Sequence, residues 1–495
     1  MKKYISDIIT SENVESWNSD TIVFIEAPTG RGKTHFIKHR LSDYKPKSKI
    51  LMLVNRTIIK NQSEKELVRE DIENVTITTY QNISNLLLTK NVALEFEGYD
   101  YIICDEAHHF CDESDFVFET DVSFNWVMKQ KGIKIFMTAT GYLIRGYIQD
   151  KLKLKINHYH IQNEYDFIEK LYLYENDDVI KKLLFDLPLD EKAIYFTSAK
   201  KAHETSELLD SCVFYCSKNN HNYSGYVDKE VSDYIEENEK FKQQVLCTTK
   251  VMDCGVNIKD ESIKHMIVDI ADISSIIQCI GRKRIKGNEK IIIYIKDKKG
   301  NAISRKIDYI KSKLRYANIL LEKGEIALVQ ENAHRNTYGN LIYDMVNVEE
   351  IKLIKKINEL MYYTFNKNLE MYSEILQDKE DGFKLKVFER MGIDMDYTYL
   401  EEELDALTLE NILDKLVGVK MFKDKQKEFK ELLLKKLLNS PKGSHGSIGL
   451  KTINALFGEN KLNYIVNSKT ERAGELRGKA YWIISRLDCF LPNLI

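Results

Sequence analysis

At 495 residues, with 43% apolar and 30% charged residues, the chain is long enough for about two to four domains, each able to bury a core. Its formal net charge of −3 excludes a globally basic nucleic-acid binder, while leaving open a local groove of side chains and helix N-termini. With no run of about eighteen uninterrupted apolar residues, no membrane span is expected, and Met1-Lys2-Lys3-Tyr4-Ile5-Ser6-Asp7 turns polar too soon for a signal peptide. The first predicted element is a buried strand, the apolar and β-branched run Thr21-Ile22-Val23-Phe24-Ile25. The loop Ala27-Pro28-Thr29-Gly30-Arg31-Gly32-Lys33-Thr34 follows it, and His35-Phe36-Ile37-Lys38-His39-Arg40 reads as the start of a helix. A phosphate-binding loop needs this strand–loop–helix context. Gly30 and Gly32 let the backbone curl so that its N–H groups, with the helix N-terminus, face phosphate oxygens. Lys33 would reach the β- and γ-phosphates and the Thr34 hydroxyl would ligate Mg²⁺. Ala27 stands where the pattern usually has its first glycine.

A strand over 49–54 leads into Asn55-Arg56-Thr57, and Thr78-Thr79-Tyr80-Gln81 follows. The strand-like run Tyr99-Asp100-Tyr101-Ile102-Ile103-Cys104 then places Asp105-Glu106-Ala107-His108 at its C-terminal end, where ligands of open α/β sheets lie. Asp105 would hold Mg²⁺ and Glu106 would polarise an attacking water. An isolated acidic pair could equally cap a helix; the phosphate loop upstream favours the nucleotide reading, with ATP and Mg²⁺ as the expected ligands.

Ile133-Lys134-Ile135-Phe136-Met137 is the next strand, ending in Thr138-Ala139-Thr140. Strands alternating with helical patterns from 21 to about 158 predict a parallel α/β sheet, with 141–163 bridging to a second α/β unit from about Glu164. Lys170-Leu171-Tyr172-Leu173-Tyr174 is its early strand and Ile291-Ile292-Ile293-Tyr294-Ile295 its last.

In order, these runs resemble the motifs of superfamily 2 helicases, over about the first 300 residues. Asp105 to His108 reads as a DEAH box. Asn55-Arg56-Thr57 and Thr78-Thr79-Tyr80-Gln81 look like strand-contacting motifs, and Thr138-Ala139-Thr140 is similar to motif III, which couples hydrolysis to domain movement in the family. Ile194-Tyr195-Phe196-Thr197-Ser198 resembles motif IV, Thr248 to Asn257 motif V, and Gln278-Cys279-Ile280-Gly281-Arg282-Lys283-Arg284 motif VI. The commonest motif VI has its second arginine where Ile285 stands here; Arg284 comes one residue early, a form that related viral and phage helicases use, and the resemblance as a whole is closest to short phage and mobile-element helicases. The resemblance implies two RecA-like domains (1–160 and 161–300) with the nucleotide between them. Lys33, Asp105, Glu106, Gln278, Arg282 and Arg284 would be catalytic, Gly255 and Asn257 would lie near the nucleotide, and Arg56, Thr79 and Thr249 would grip the strand. Single-stranded or tailed duplex nucleic acid, DNA before RNA, is the implied partner. A switch or loading subunit that hydrolyses ATP without unwinding is the second reading. His108 is taken as a contact between the motor domains rather than a metal ligand, and Lys283 as a solvated surface charge.

Eight scattered cysteines fit reduced intracellular thiols, with the cytoplasm as the expected compartment. Cys212 and Cys216 are read as buried thiols rather than a zinc pair. From 301 to 440 apolar residues recur at helical spacing, as in Ile307 to Leu314 and Ile351 to Ile357, and a helical accessory region is expected there. The run Glu401-Glu402-Glu403 reads as a solvated helix start, and 439–447 as a linker rich in Ser, Gly and Pro. Beyond it, 441–495 is a small basic segment. From Lys420 onward there are fifteen Lys/Arg against seven Asp/Glu, and Tyr481 and Trp482 stand beside them. That segment reads either as a strand-binding surface or as a structural cap with the two aromatics in its core; the accessory regions are also where a protein partner would dock.

Overall fold

The computed structural model describes residues 3–19, 21–90, 93–111, 119–217, 220–250, 258–331, 341–347, 352–378, 380–437, 448–472 and 476–487. The motif V residues 251–257, with Gly255 and Asn257, and the linker over 439–447 lie outside them. The chain divides into two compact units: Met1–Leu171 with Ile180–Asp396, and Tyr172–Val179 with Tyr397–Ile495.

The first unit contains two parallel sheets. One is built from β1 (Ile22–Glu26), β2 (Ile50–Val54), β3 (Val75–Thr79), β4 (Tyr101–Asp105), β5 (Ile133–Thr138) and β6 (Asn157–His160), in the order β3-β2-β4-β5-β1-β6. Every neighbouring pair is parallel. Helices cover both faces, so the inner strands are apolar without alternation; β2 and β5 are buried along their whole length. Successive side chains of β1 serve opposite cores: Val23 and Ile25 join Ile37, Met52 and Ile135, while Phe24 joins Leu51, Phe124 and Phe136. The helices include α1 (residues 33–44, with a π turn at Phe36–Leu41), α2 (Thr57–Arg69), α3 (Tyr80–Lys90) and α4 (Thr120–Lys129). The stretch expected to bridge onward instead contributes β6. Its residues Asn157, His158, Tyr159 and His160 are mostly exposed on the sheet edge, so they carry no apolar signal.

The second sheet follows the order β7-β12-β11-β8-β10-β9, from β7 (Ile168–Tyr174), β8 (Lys192–Phe196), β9 (Cys212–Tyr215), β10 (Val245–Thr248), β11 (Ile263–Val268) and β12 (Ile291–Lys296). Pairs from β12 through β9 are parallel. Helix α5 (Ile273–Ile280) follows β11. After β12 come α6 (Gly300–Glu331), a hairpin of β13 (Ile342–Asn347) and β14 (Lys352–Ile357), α7 (Glu359–Gln377) and α8 (Gly382–Met391). The run expected as a helix over 351–357 is therefore a strand from Lys352 onward: pairing of Leu353 with Val346 and Ile357 with Ile342 overrides a spacing that fits either period. Helix α7 touches both halves of the unit. Asn358 Nδ2 at its N-cap donates to Thr120 Oγ1 (2.9 Å), and Tyr372 Oη donates to the Ala271 carbonyl beyond β11 (2.9 Å). No helix among the described residues is long and apolar enough to cross a membrane.

In the second unit, β15 (Thr398–Tyr399) runs parallel to Tyr172 and Leu173, and α9 (Leu400–Leu416), α10 (Lys423–Leu437) and α11 (Leu450–Glu459) precede a hairpin of β16 (Tyr464–Thr470) and β17 (Ala480–Arg486). Glu401 is not merely solvated: it accepts the backbone N–H groups of Glu175 and Asn176, both at 2.8 Å. One core holds Leu409, Leu413, Phe429, Leu433, Phe457 and Trp482. Trp482 is buried, exchanges two backbone hydrogen bonds with Met421 (2.8 and 2.9 Å) and lies under the Lys430 ammonium, 4.9 Å from the ring centre. Tyr481 is buried too, against Phe422. Trp482 thus serves the core of this unit, while Tyr481, on the opposite face of β17, is covered by Phe422 and Lys420. Trp482→Ala should cost it about 3–5 kcal/mol, read as loss of hydrogen-exchange protection in β16 and β17; unchanged protection would show that the ring is not structural.

Candidate active site

The order β4-β5-β1 brings three strand ends together, and the candidate residues sit on them. The Ala27 N–H donates to the Thr138 carbonyl (3.0 Å), locking the start of the phosphate loop to the end of β5. Gly30 (φ 80°) and Gly32 (φ 78°) adopt the left-handed conformation that the curl requires and that side-chain-bearing residues avoid. Gly32 then caps α1, whose first residues are Lys33 and Thr34. Lys33 is buried, and its ammonium donates to the Ala27 carbonyl (2.8 Å). Arg31, also buried, donates to Glu164 Oε2 at 2.8 Å.

Asp105 ends β4, buried, with its carbonyl accepting the Tyr80 hydroxyl (2.8 Å). Glu106 follows in the left-handed region (φ 50°), a conformation costly for glutamate and characteristic of functional sites. Burial and the adjoining Glu106 carboxylate push Asp105 up, to about 7. Glu106 is also opposed by burial, but Lys33, His108, Arg282 and Arg284 together hold it below the ordinary range. Burial draws the Lys33 ammonium down, against the pull of Glu106 and Asp105. His108 Nδ1 lies 3.0 Å from Thr138 Oγ1 and 3.4 Å from Glu106 Oε2. Gln278 bonds directly across the two halves, its Nε2 donating to Thr140 Oγ1 (3.1 Å).

Local geometry explains the shortened arginine motif. Residues 282–284 are not helical but pair beside Ile258: the Ile258 N–H donates to the Arg282 carbonyl and the Arg284 N–H to the Ile258 carbonyl, each 2.9 Å. In extended backbone residues two apart face the same way, so Arg282 and Arg284 point to one side and Lys283 to the other. Both arginines act electrostatically on Glu106, and Arg284 Nη1 lies 3.7 Å from where a Cβ on Gly30 would stand. Burial and Arg282 lower Arg284 to about 10. Arg282 Nε is buried without a hydrogen-bond partner, an orphaned donor suited to an anion. A Cβ on Gly281 would sit 2.9 Å from Thr29 Oγ1, so a side chain there would force the Thr29 hydroxyl to move. Lys283 is not a solvated charge: it is buried and bridges Glu289 Oε2 at 2.7 Å.

A cavity of about 610 Å³ runs between the halves, lined by Thr29, Gly30 and Arg31 on one side and Gln278 and Arg284 on the other. That is within the range of nucleotide-sized pockets. The candidate strand contacts lie at further strand ends. Arg56 is the N-cap of α2 after β2 and close enough to act on the Tyr215 phenol at the end of β9. Thr79 ends β3, its hydroxyl accepting the Asn82 N–H (3.1 Å), and Thr249 is buried just after β10. Cys216 is buried and Cys212 half-buried, with Cys212 Sγ 3.4 Å from Cys247 Sγ; among the described residues no group of three His, Cys, Asp or Glu is placed to hold a metal ion. Sequence reasoning missed the N-terminal buttress: the Ile5 N–H donates to the Arg31 carbonyl (3.0 Å) and the Tyr4 ring packs on Gly32. It also missed Tyr80 as the support of Asp105. Neither has a local signature, because both act across long sequence separations.

No protein-family model matches the chain, and no curated protein matches it significantly. Among solved structures the fold is similar to a variant of S. cerevisiae Dbp5 bound to RNA and ADP BeF3, at 17% identity over 59% of this chain and 83% of that one, with a TM-score of 0.42. The DEAD-box helicase Mss116 bound to ssRNA and UDP-BeF is similar at 15% identity, over 62% of this chain and 70% of that one (TM-score 0.40). The Mycobacterium smegmatis helicase Lhr bound to ssDNA and AMP-PNP is similar at 12% identity, over 72% and 58% (TM-score 0.41).

Removing Lys283 would take the ammonium partner from the half-buried Glu289 carboxylate and leave it the Lys286 N–H (3.0 Å), so Lys283→Met should destabilise the protein by about 1–3 kcal/mol in urea unfolding. Lys283 holds the Glu289 carboxyl below its usual 4.5 against the upward push of burial. The pair's contribution is therefore present above pH 4.5 and lost as pH falls through the depressed folded value, so the stability deficit of Lys283→Met should shrink on acidification. A deficit that is absent at neutral pH, or independent of pH, would contradict this pairing.

Proposed function

We propose that the chain is an ATP hydrolase of the superfamily 2 helicase kind, turning over nucleotide between its two parallel sheets and coupling turnover to movement along a nucleic-acid strand. The observation that carries this reading is the convergence of Lys33 from one sheet, and Arg282 and Arg284 from the other, on the buried Asp105 and the half-buried Glu106 beside it. Three cations around a cleft that opens on a glycine-rich helix N-terminus suit a triphosphate and the charge that develops during its cleavage. Residues 27–34 would cradle the phosphates, with Lys33 turning from the Ala27 carbonyl to the β- and γ-oxygens. Mg²⁺, held by Thr34 and Asp105, supplies charge neutralisation there when bound. Asp105 fits that duty, because a carboxyl pushed upward by burial and a neighbouring carboxylate gains from a nearby cation. Glu106, kept ionised, orients and deprotonates the attacking water. Arg282 and Arg284 stabilise the transferring phosphoryl group, and Gln278 reports closure through Thr140. Gly255 and Asn257 would complete the nucleotide side, and Arg56, Thr79 and Thr249 the strand side. DNA is the proposed strand in preference to RNA, because the motif series as a whole is closest to that of short phage and mobile-element helicases. Strand displacement on a tailed duplex separates unwinding from a switch that only hydrolyses.

Lys33→Ala should abolish turnover in a folded protein; near-normal hydrolysis would sink the assignment. Glu106→Gln should keep ATP affinity while stalling hydrolysis by about a hundredfold or more; a loss of affinity matching that of Lys33→Ala would remove Glu106 from the water-activating role.

Arg282→Ala and Arg284→Ala should each lower kcat by about a thousandfold, in the range of arginine fingers, with little loss of nucleotide affinity. A wild-type rate in Arg284→Ala would show that the early arginine is not in the site.

A further inference from the structure

The cavity that receives the phosphates at Thr29, Gly30 and Arg284 extends past the loop to Tyr165 and Phe167, in the segment joining the two sheets. This segment is anchored on both sides. Glu164 is bound by Arg31 of the phosphate loop (2.8 Å), while the Phe167 carbonyl accepts the Ile291 N–H (2.9 Å) and the Asp166 carbonyl accepts the Lys290 ammonium. Between these anchors Tyr165 and Phe167 are half-buried, their ring centres 5.8 Å apart and their planes tilted by 49°. Gly287 lines the same cavity; a Cβ built on it meets nothing within 4 Å, so no neighbour crowds the lining there. An aromatic pair tethered beside a phosphate loop, lining a cavity with open space, suits the stacking of a flat ring.

We infer that Tyr165, backed by Phe167, is the surface on which the nucleobase of the bound triphosphate stacks. The inference rests on the hydrolase reading, because it takes the phosphates to lie in the 27–34 loop. The Arg31–Glu164 bond ties the phosphate loop to the segment that carries the platform, and both line one cavity. A stack reads the face of a base rather than its edge, and its strength grows with ring area, so a purine triphosphate is held better than a pyrimidine one. The phenol hydroxyl is not part of this recognition.

The test uses the full chain, with ATP and with inorganic tripolyphosphate, which carries the phosphates but no base. Tyr165→Ala should raise KM for ATP by about tenfold or more, the effect of removing a stacked ring, with kcat unchanged. Tyr165→Phe should restore the wild-type KM. The inhibition constant of tripolyphosphate should be the same in all three proteins, which a general disturbance of the loop would not allow. An unchanged KM in Tyr165→Ala, or a parallel loss of tripolyphosphate binding, overturns the platform. Turnover retained in Lys33→Ala would instead overturn the hydrolase reading beneath it.

Discussion

Two adjoining carboxylates and three cations share one buried cleft, and the rest of the fold serves that concentration of charge. Asp105 and Glu106 cannot both ionise freely in a protein interior; burial and mutual repulsion raise Asp105, while Lys33 and the arginines keep Glu106 charged. Arg282 and Arg284 in turn repel each other, and burial adds to the strain on Arg284. A polyphosphate with its divalent cation is the ligand class that relieves both strains at once: it supplies negative charge to the arginines and positive charge to the acids.

Holding such groups in place requires rigid elements. Parallel strands order β4, β5 and β1 side by side, so that the loop after β1, the acids after β4 and the threonines after β5 meet without long connections. The opposite wall comes from α5 and the extended residues after it, where alternation rather than helical spacing aims two arginines the same way. Helix α7 is bonded to both halves, through Asn358 and Tyr372, so the accessory helices brace the pair of sheets that the sequence motifs alone would leave as two separate bodies.

Much of this was legible in the chain. Apolar runs flanking Gly30, Asp105 and Thr138 specified buried parallel strands, because only strands covered on both faces are apolar throughout. The glycines at 30 and 32 announced the left-handed turns that the structure contains. What stayed hidden has physical reasons. Strand β6 lies on an edge and is largely polar; β14 has apolar residues whose spacing fits helix and strand alike, and only its partner decides. Lys283 looked like a surface charge because its acid partner, six residues on, becomes a neighbour only after the chain turns back at Gly287. Tyr481 and Trp482, set among basic residues, resembled a binding surface until the hairpin placed Trp482 against α10 and Met421 and Tyr481 against Phe422.

The strand-coupled ATPase reading has one direct measurement: steady-state ATP turnover by the full chain while single-stranded DNA, and separately single-stranded RNA, is titrated in. The account predicts a low basal rate that rises saturably with strand concentration, more steeply for DNA. A rate indifferent to both strands, or no turnover in their presence, would contradict it.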